Sequence, residues 1–261
     1  MRHLSIAICA LCAVSLAACG APVPSPSAAN AAASYAGRQS EPPKTLSIGS
    51  FDSTRGGAES LEASSVSGLN AAIVAMFHPK FHYTAKLTAP FLRKVNVMVI
   101  GVAATVSGGE IKPLSRAEQR ALVAFVKNGG AVAIFADNKD FQKADNSLLK
   151  PFGLASTGKL NGSQIATWVG NVSQNPLATG PAGSAAELDT FYPGWFSKLG
   201  SATDLADLPG SGPPAAAYFP AGTLGAHSGA AVFFADSSLM LDGTRTTNDQ
   251  IAILNALALA P

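Results

Sequence analysis

The sequence predicts an α/β domain in which a mainly parallel sheet lies between two helical layers, a three-layer sandwich. Apolar β-rich segments alternate with segments in which apolar residues recur at helical spacing. Residues 94–102, KVNVMVIGV, are almost continuously apolar, as expected of a central strand that is buried on both faces. A helix and a further strand follow over residues 115–135, and such a unit joins parallel strands by a right-handed crossover.

Local signals place the individual elements. Ser115 and Glu118 form the capping-box pattern S-x-x-E at a helix start, and Gly129-Gly130 ends that helix. The apolar patterns predict the remaining elements as follows: strands over residues 45–49, 81–87, 94–102 and 131–135, and helices over residues 67–76 and 248–257.

Two segments resemble each other, GGAVAIFADN (129–138) and SGAAVFFADS (228–237). Each is predicted to be a buried strand that ends in Ala-Asp. Between them, residues 140–225 are rich in proline and glycine. We predict long loops there, forming a lid or an accessory lobe.

The first 43 residues predict a secreted, lipid-anchored protein. Arg2 and His3 precede an apolar run over residues 4–16, which is too short to span a bilayer. The tetrad Leu-Ala-Ala-Cys that ends at Cys19 resembles the bacterial lipobox, in which the cysteine thiol receives a diacylglyceryl group. We therefore predict a signal peptide over residues 1–18, a lipidated Cys19 with a Pro/Ala/Ser-rich disordered tether over residues 19–43, and a single domain over residues 44–261.

The same resemblance predicts where the protein resides. Gly20 follows the cysteine, and by the sorting pattern of Gram-negative lipoproteins this favours the outer membrane, facing the periplasm. The lipid on Cys19 would attach the chain to that membrane. A flexible tether of this length would average about 25–30 Å from end to end.

Composition excludes several functions. The three cysteines are Cys9, Cys12 and Cys19, so the domain has no disulfide, cysteine nucleophile or thiolate metal site. Charged residues make up 13% of the chain and the formal net charge is +2, so we predict no basic face for nucleic acid. No cofactor, catalytic residue or metal-ligand set is predicted. An envelope protein or a small polar ligand remains as a partner.

Three segments together resemble the class I glutamine amidotransferase-like superfamily. They are LSRAEQRALVAFVKNGGAVAIFADN (114–138), NPLATGP (175–181) and GAAVFFADSSLMLDG…NDQIAILNALAL. They are most similar to its non-catalytic branch, which is found in uncharacterised lipoproteins and in auxiliary domains of gliding-motility-type transporters. The resemblance implies a flavodoxin-like fold.

The resemblance also implies that glutamine is not hydrolysed. Asp137 and Asn138 stand where active members carry a cysteine in a sharp strand-to-helix turn, and His227 is followed by Ser-Gly rather than by a partner carboxylate. The non-catalytic relatives often carry Asp and His after the first strand. This chain has Asp52 there, with Arg55 nearby.

Three strands are predicted to end in an aspartate, and ligands of open α/β sheets bind at the carboxyl ends of strands. A shared ligand site would bring together Asp52, Ser53, Arg55, Asp137, Asn138, Asp236, Ser237 and Ser238. Such oxygens suit a divalent cation or sugar hydroxyls. The alternative is that each aspartate caps a following helix or turn.

Two further groups each allow two interpretations. His78 and His82 have the spacing of metal ligands on a helix, but Pro79 between them opposes that helix and favours separate surface or core-edge histidines. The aromatic residues Phe191, Tyr192, Trp195 and Phe196 could contact a sugar or a protein, or form a small satellite core beneath a long connection.

Three functions remain open. The first is a membrane-tethered periplasmic domain that binds a ligand or partner at the strand-end cleft without catalysis. The second is a metal- or carboxylate-dependent hydrolase or carbohydrate-processing enzyme. The third is a structural envelope lipoprotein.

Overall fold

The computed structural model describes residues 45–101 and 113–261, and its centre is a nine-stranded mixed sheet. The strand order is β2-β1-β3-β4-β13-β12-β11-β6-β9. The first five of these strands are parallel: β1 Ser47–Phe51, β2 Lys80–Thr84, β3 Val97–Gly101, β4 Ala131–Phe135 and β13 Ala231–Phe234. This confirms the α/β class with a mainly parallel central part. The predicted signal peptide, the lipidated Cys19 and the tether lie outside the described residues.

The other half of the sheet is antiparallel and is built from the region predicted to be loops. Its strands are β6 Ser163–Trp168, β9 Leu188–Phe191, β11 Thr203–Asp207 and β12 Pro214–Phe219. Two small sheets pair β5 Ala155–Thr157 with β10 Trp195–Lys198, and β7 Thr179–Gly180 with β8 Gly183–Ser184. The prediction of long loops over residues 140–225 is therefore wrong. These strands are short, and frequent turn residues obscure their alternation.

Helices cover both faces of the sheet, as a three-layer sandwich requires. The helices are α1 Ser53–Gly56, α2 Ser67–Phe77, α3 Ala89–Leu92, α4 Arg116–Lys127, α5 Gln142–Leu149 and α6 Thr247–Ala258. Helices α2 and α6 bury Leu69 and Ile253 in one apolar cluster. Helices α4 and α5 bury Leu122 and Leu148 in a second cluster. Strand residues contribute to both clusters, so the two cores lie on opposite faces of the sheet.

The helix predictions match the structure closely because their end signals are strong. The hydroxyl of Ser115 accepts a hydrogen bond from the Glu118 amide, and the Glu118 carboxylate accepts one from the Ser115 amide. Gly129 adopts a φ of +98°, which favours glycine at the helix end. Thr246 and Asp249 form a second capping box at the start of α6, which the sequence analysis missed.

Strand ends were predicted less well than strand centres. The first strand begins two residues later than predicted, and the second begins at Lys80 and ends at Thr84. The central strand covers Val97–Gly101, and the predicted end at Val102 lies outside the described residues.

Within residues 45–101 and 113–261, no single helix is long and apolar enough to cross a membrane. Segments Ser53–Glu59 and Ser64–Phe77 reach that length and hydropathy only together, with a bend of 41° between them.

Candidate functional site

Four carboxyl groups cluster near the carboxyl ends of the parallel strands. Asp137 and Asp236 each lie two residues beyond a strand, β4 and β13, and these two strands are neighbours in the sheet. Glu59 comes from a short 3-10 helix after β1, Gly57–Glu59, and Asp145 comes from α5. We call Glu59, Asp137, Asp145, Asp236 and the adjacent Ser237 the carboxyl cluster.

Asp137 is linked by hydrogen bonds to two other members, Ser237 and Asp145. The Ser237 hydroxyl donates to Asp137 Oδ2 at 2.7 Å. The amide and the side-chain Nδ2 of Asn138 donate to Asp137 Oδ1 at 2.6 and 2.8 Å. The backbone amide of Asp137 donates in turn to Asp145 Oδ2 at 3.1 Å. Both carboxylate oxygens of Asp137 are thus occupied by protein donors.

Asp236 serves as a cap. Its Oδ1 accepts hydrogen bonds from the amide and the hydroxyl of Ser238 at 2.9 and 2.6 Å, at the start of the 3-10 helix Ser237–Met240. Its Oδ2 accepts from the amide of Phe191 at 2.5 Å. The residue is only 1% exposed. These contacts match the capping alternative from the sequence analysis.

Glu59 and Asp145 are buried with incomplete hydrogen bonding. Glu59 Oε2 and Asp145 Oδ1 have no hydrogen-bond partner. Glu59 packs directly on Gly101, where an added Cβ would lie 2.7 Å from Glu59 Oε2 and 2.6 Å from Glu59 Cβ. Glycine therefore makes room for this glutamate. A buried carboxylate without partners is costly, so the protonated form is favoured.

Burial is the main reason that the cluster holds protons tightly. It raises the pKa of Glu59 and of Asp145 well above their ordinary values, and nearby carboxylates add to the effect. Burial raises the pKa of Asp137 as well, although the Ser237 hydroxyl opposes the rise. The pKa of Asp236 rises to about 7, again through burial first. Since like charges in one site disfavour each other's ionisation, the cluster does not carry four negative charges near neutral pH.

The structure places the first predicted group elsewhere. Asp52 caps α1, accepting from the Thr54 amide and hydroxyl at 3.1 and 2.6 Å. Arg55 donates to Glu118 Oε1 at 3.3 Å and lies over the Phe51 ring. Asp52 and Ser53 therefore lie at the start of α1, and Arg55 contacts Glu118 and Phe51. The other five residues of the predicted group come together: Asp137, Asn138, Asp236, Ser237 and Ser238.

Sequence reasoning missed Glu59 and Asp145. One signal was readable for Asp145, because it shares the apolar stripe of α5 with Ala144, Leu148 and Leu149. No comparable signal marks Glu59, since its burial depends on Gly101, which ends β3 and is distant from Glu59 in the sequence.

A loop of the chain itself covers these strand ends. The carbonyl of Tyr192 accepts from Asn138 Nδ2 at 3.1 Å, and the Gly194 amide donates to the Ala235 carbonyl at 3.1 Å. A Cβ on Gly194 would lie 2.6 Å from the Asp137 carbonyl oxygen. The loop thus packs backbone to backbone against the end of β4.

The predicted aromatic group divides in two. Phe196 is buried in the core that α4 and α5 cover, and Trp195 packs partly buried against the other core, so neither belongs to a separate satellite core. Phe191 and Tyr192 are 41% and 39% exposed and pack edge to face, with ring centroids 4.5 Å apart.

No metal centre is formed among residues 45–101 and 113–261, where no three His, Cys, Asp or Glu side chains are arranged to hold an ion. His78 ends α2 and His82 lies in β2, so the two histidines do not share a helix. The cavity between α3 and α4, about 560 Å³, lies at the other end of β4 and is lined by Asn96, Phe125 and Gly130 among others. No carboxyl-cluster residue lines it.

Comparison with known proteins identifies the fold. No family model matches the sequence, and no curated protein sequence matches it. The fold is similar to that of the mmIFT52 N-terminal domain, with a TM-score of 0.60 and 12% identity over 81% of this chain and 96% of that domain. It is also similar to a putative ThuA-like protein from Bacteroides uniformis, with a TM-score of 0.51 and 13% identity over 84% of this chain and 92% of that protein.

A third similarity is to part of a larger enzyme. The β-galactosidase from Rahnella sp. R3 matches with a TM-score of 0.50 and 12% identity over 82% of this chain, but over 31% of the enzyme. The chain has a flavodoxin-like α/β fold, as the ThuA-like protein does. At these identities the similarities establish the fold alone.

Proposed function

We propose that this chain is a lipoprotein of the cell envelope, anchored through Cys19, whose amidotransferase-like domain binds a partner or polar ligand without catalysis. The observation that carries the proposal is the Leu-Ala-Ala-Cys tetrad ending at Cys19, behind a basic end and a short apolar run. Gly20 favours the outer membrane, with the domain facing the periplasm.

The turn after β4 supports a domain that does not hydrolyse glutamine. An amidotransferase needs an exposed, activated nucleophile at the strand-to-helix turn. Here Asn138 at that turn is buried, and its side chain is bonded to Asp137 and to the Tyr192 carbonyl. The sequence holds no cysteine beyond Cys19. The domain therefore lacks the cysteine nucleophile that amidotransferases use to hydrolyse glutamine.

The anchoring is tested by substitution of Cys19. Expressed with its leader in a Gram-negative host, the wild-type chain should incorporate labelled palmitate and sediment with outer-membrane vesicles. Cys19→Ala should abolish the label, because the thiol that takes the lipid is gone. Cys12→Ala, within the apolar run, is the matched control and should keep the label. Undiminished labelling of the Cys19→Ala variant would overturn the proposal.

A second candidate is the carboxylate-dependent hydrolase, favoured by the unpaired Glu59 Oε2 within a group of carboxyls with raised pKa values. Such groups are often found at functional sites. If this candidate is right, a divalent cation or an oligosaccharide should raise the melting temperature of the wild-type chain, since a ligand of the native state stabilises it. The shift should vanish in Asp137→Asn and persist in Asp52→Asn, which alters only the α1 cap. Equal shifts in both variants, or none in wild type, would exclude the carboxyl cluster as the binding site.

A further inference from the structure

The outer face of α4 concentrates positive charge. Arg116, Arg120 and Lys127 are exposed, and at 100° per residue they lie with Val123 within an arc of about 60°. The opposite side of the helix buries Leu122 and Val126 in the core. Lys150, which follows α5, adds a fourth exposed cation. We call Arg116, Arg120, Lys127 and Lys150 the basic face.

Two shallow cavities connect these cations. One, of about 650 Å³, is lined by all four residues of the basic face together with Val123, Ala124 and Pro151. The other, of about 340 Å³, shares Lys150 with it and is lined otherwise by polar side chains and Lys143. Among the residues that the structure describes, no acidic one lines either cavity. The only glutamate of α4, Glu118, is buried on the side facing Arg55.

This distribution differs from what the composition suggests. The whole chain carries 18 basic and 16 acidic residues, which is nearly balanced. The charged side chains described around these two cavities are all positive, so their fields add rather than cancel. Small apolar groups, Val123, Ala124 and Pro151, lie among the cations. Ala124 is exposed, and Val123 and Pro151 are partly exposed. A helix face with cations around accessible apolar groups is typical of segments that lie on anionic membrane surfaces.

We propose that the basic face binds the anionic phospholipid headgroups of the membrane to which the chain is anchored. The proposal rests on the proposed function for its setting, because the lipid on Cys19 brings the domain to a membrane. The tether predicted from the sequence separates Cys19 from the domain, and at its length it would average about 25–30 Å from end to end. Such a tether keeps the domain at high local concentration near the headgroups. Weak contacts by four cations are then sufficient to hold the domain on the surface.

The experiment uses the full chain with Cys19→Ala, so that binding does not depend on the lipid. Co-sedimentation is measured with phosphatidylcholine vesicles that either contain or lack phosphatidylglycerol. We expect binding that requires phosphatidylglycerol and weakens as salt is added. In the background of Cys19→Ala, the triple variant Arg116→Gln/Arg120→Gln/Lys127→Gln should lower the partition coefficient by about two orders of magnitude, since each cation near the surface contributes about fivefold.

The matched control removes three exposed lysines elsewhere, in Lys80→Gln/Lys86→Gln/Lys198→Gln. It lowers the net charge equally but leaves the basic face intact, so it should bind nearly as the parent does. Equal losses in the two triple variants would overturn the proposal, because total charge alone would then explain binding. Melting temperatures of all variants establish that the exposed substitutions leave the fold intact.

Two other outcomes would also distinguish the membrane-binding proposal from the lipid-anchor proposal. Binding to soluble polyphosphate or duplex DNA but not to phosphatidylglycerol vesicles would overturn the proposal in favour of a soluble polyanion. Phosphatidylglycerol-dependent binding, together with a wild-type chain that takes up no palmitate, would support the basic face while refuting the lipid anchor. The two proposals therefore fail separately.

Discussion

Replacing Gly194 with alanine should destabilise the domain by about 3 kcal/mol, at the upper end of what overpacking costs. The new Cβ would lie 2.6 Å from the Asp137 carbonyl oxygen and 3.0 Å from the Asn138 Cα. Both atoms belong to the backbone beyond β4, so no side-chain rotation relieves the contact. The loop must move away from the strand ends, and the hydrogen bonds from Gly194 to Ala235 and from Asn138 to Tyr192 weaken with it.

Urea unfolding of the full chain measures this effect, and Gly243→Ala is the control. A Cβ on Gly243 would meet nothing within 4 Å, so that variant should differ from wild type by less than about 0.5 kcal/mol. If Gly194→Ala is as stable as Gly243→Ala, the loop does not pack closely against the end of β4 in solution.

Stability should fall as the pH rises from mildly acidic to slightly alkaline values. Below the ordinary pKa of 3.8, Asp236 is protonated in both the folded and the unfolded chain. Between 3.8 and about 7 the unfolded chain loses this proton while the folded chain keeps it, so the free energy of unfolding decreases. Because a tenfold change in proton affinity corresponds to about 1.4 kcal/mol, this one group accounts for about 4 kcal/mol. Glu59, Asp137 and Asp145 act in the same direction.

At lower pH the opposite trend begins. Burial alone would raise the pKa of Glu118, but hydrogen bonds from Ser115 and the charge of Arg55 bring it below its ordinary 4.5. The stabilisation from Glu118 is present above 4.5 and is lost as the pH falls through its lowered pKa. We therefore expect maximal stability at acidic pH, around the ordinary carboxyl pKa values of 3.8 and 4.5, which lies below the usual optimum for folded proteins.

Glu59→Gln tests whether the carboxyl cluster causes the loss of stability at higher pH. The substitution removes a buried titrating group at nearly constant side-chain size. The free energy of unfolding should therefore decline less steeply between pH 5 and 8 than in wild type, even if the variant is less stable at every pH. Glu187→Gln removes a carboxyl outside the carboxyl cluster and should leave the decline unchanged. Chemical denaturation at a series of pH values gives both slopes. Identical slopes in wild type and both variants would show that Glu59 titrates normally.

The sequence predicted the parallel half of the fold well because its signals are local. The capping box at Ser115, the glycines after α4 and the apolar run of β3 each act over a few residues. The antiparallel half was missed because strands such as β11 and β9 depend on neighbours far along the chain. Their stability comes from pairing and burial rather than from residue preference.

The candidate site was predictable to a similar extent. Aspartates at the ends of β4 and β13 come together because their strands are adjacent. The repeated Ala-Asp ending predicted both strand ends but not that the strands are neighbours. Asp52 follows β1, and β3 lies between β1 and β4 in the sheet. The side chain of Asp52 caps α1 instead of joining the other aspartates. Glu59 and the covering loop at Gly194 arise from contacts between distant segments. No pattern of spacing could have indicated them.

The position of β1 has a mechanical consequence. The first strand of the described part of the chain does not lie at an edge but between β2 and β3, with parallel pairing on both sides. If the chain is held at a membrane through Cys19, any pull on the domain arrives at Thr45 and runs along β1. Such a load would shear two hydrogen-bonded ladders at once instead of peeling an edge strand bond by bond. The domain would thus resist extraction from the end at which it is held.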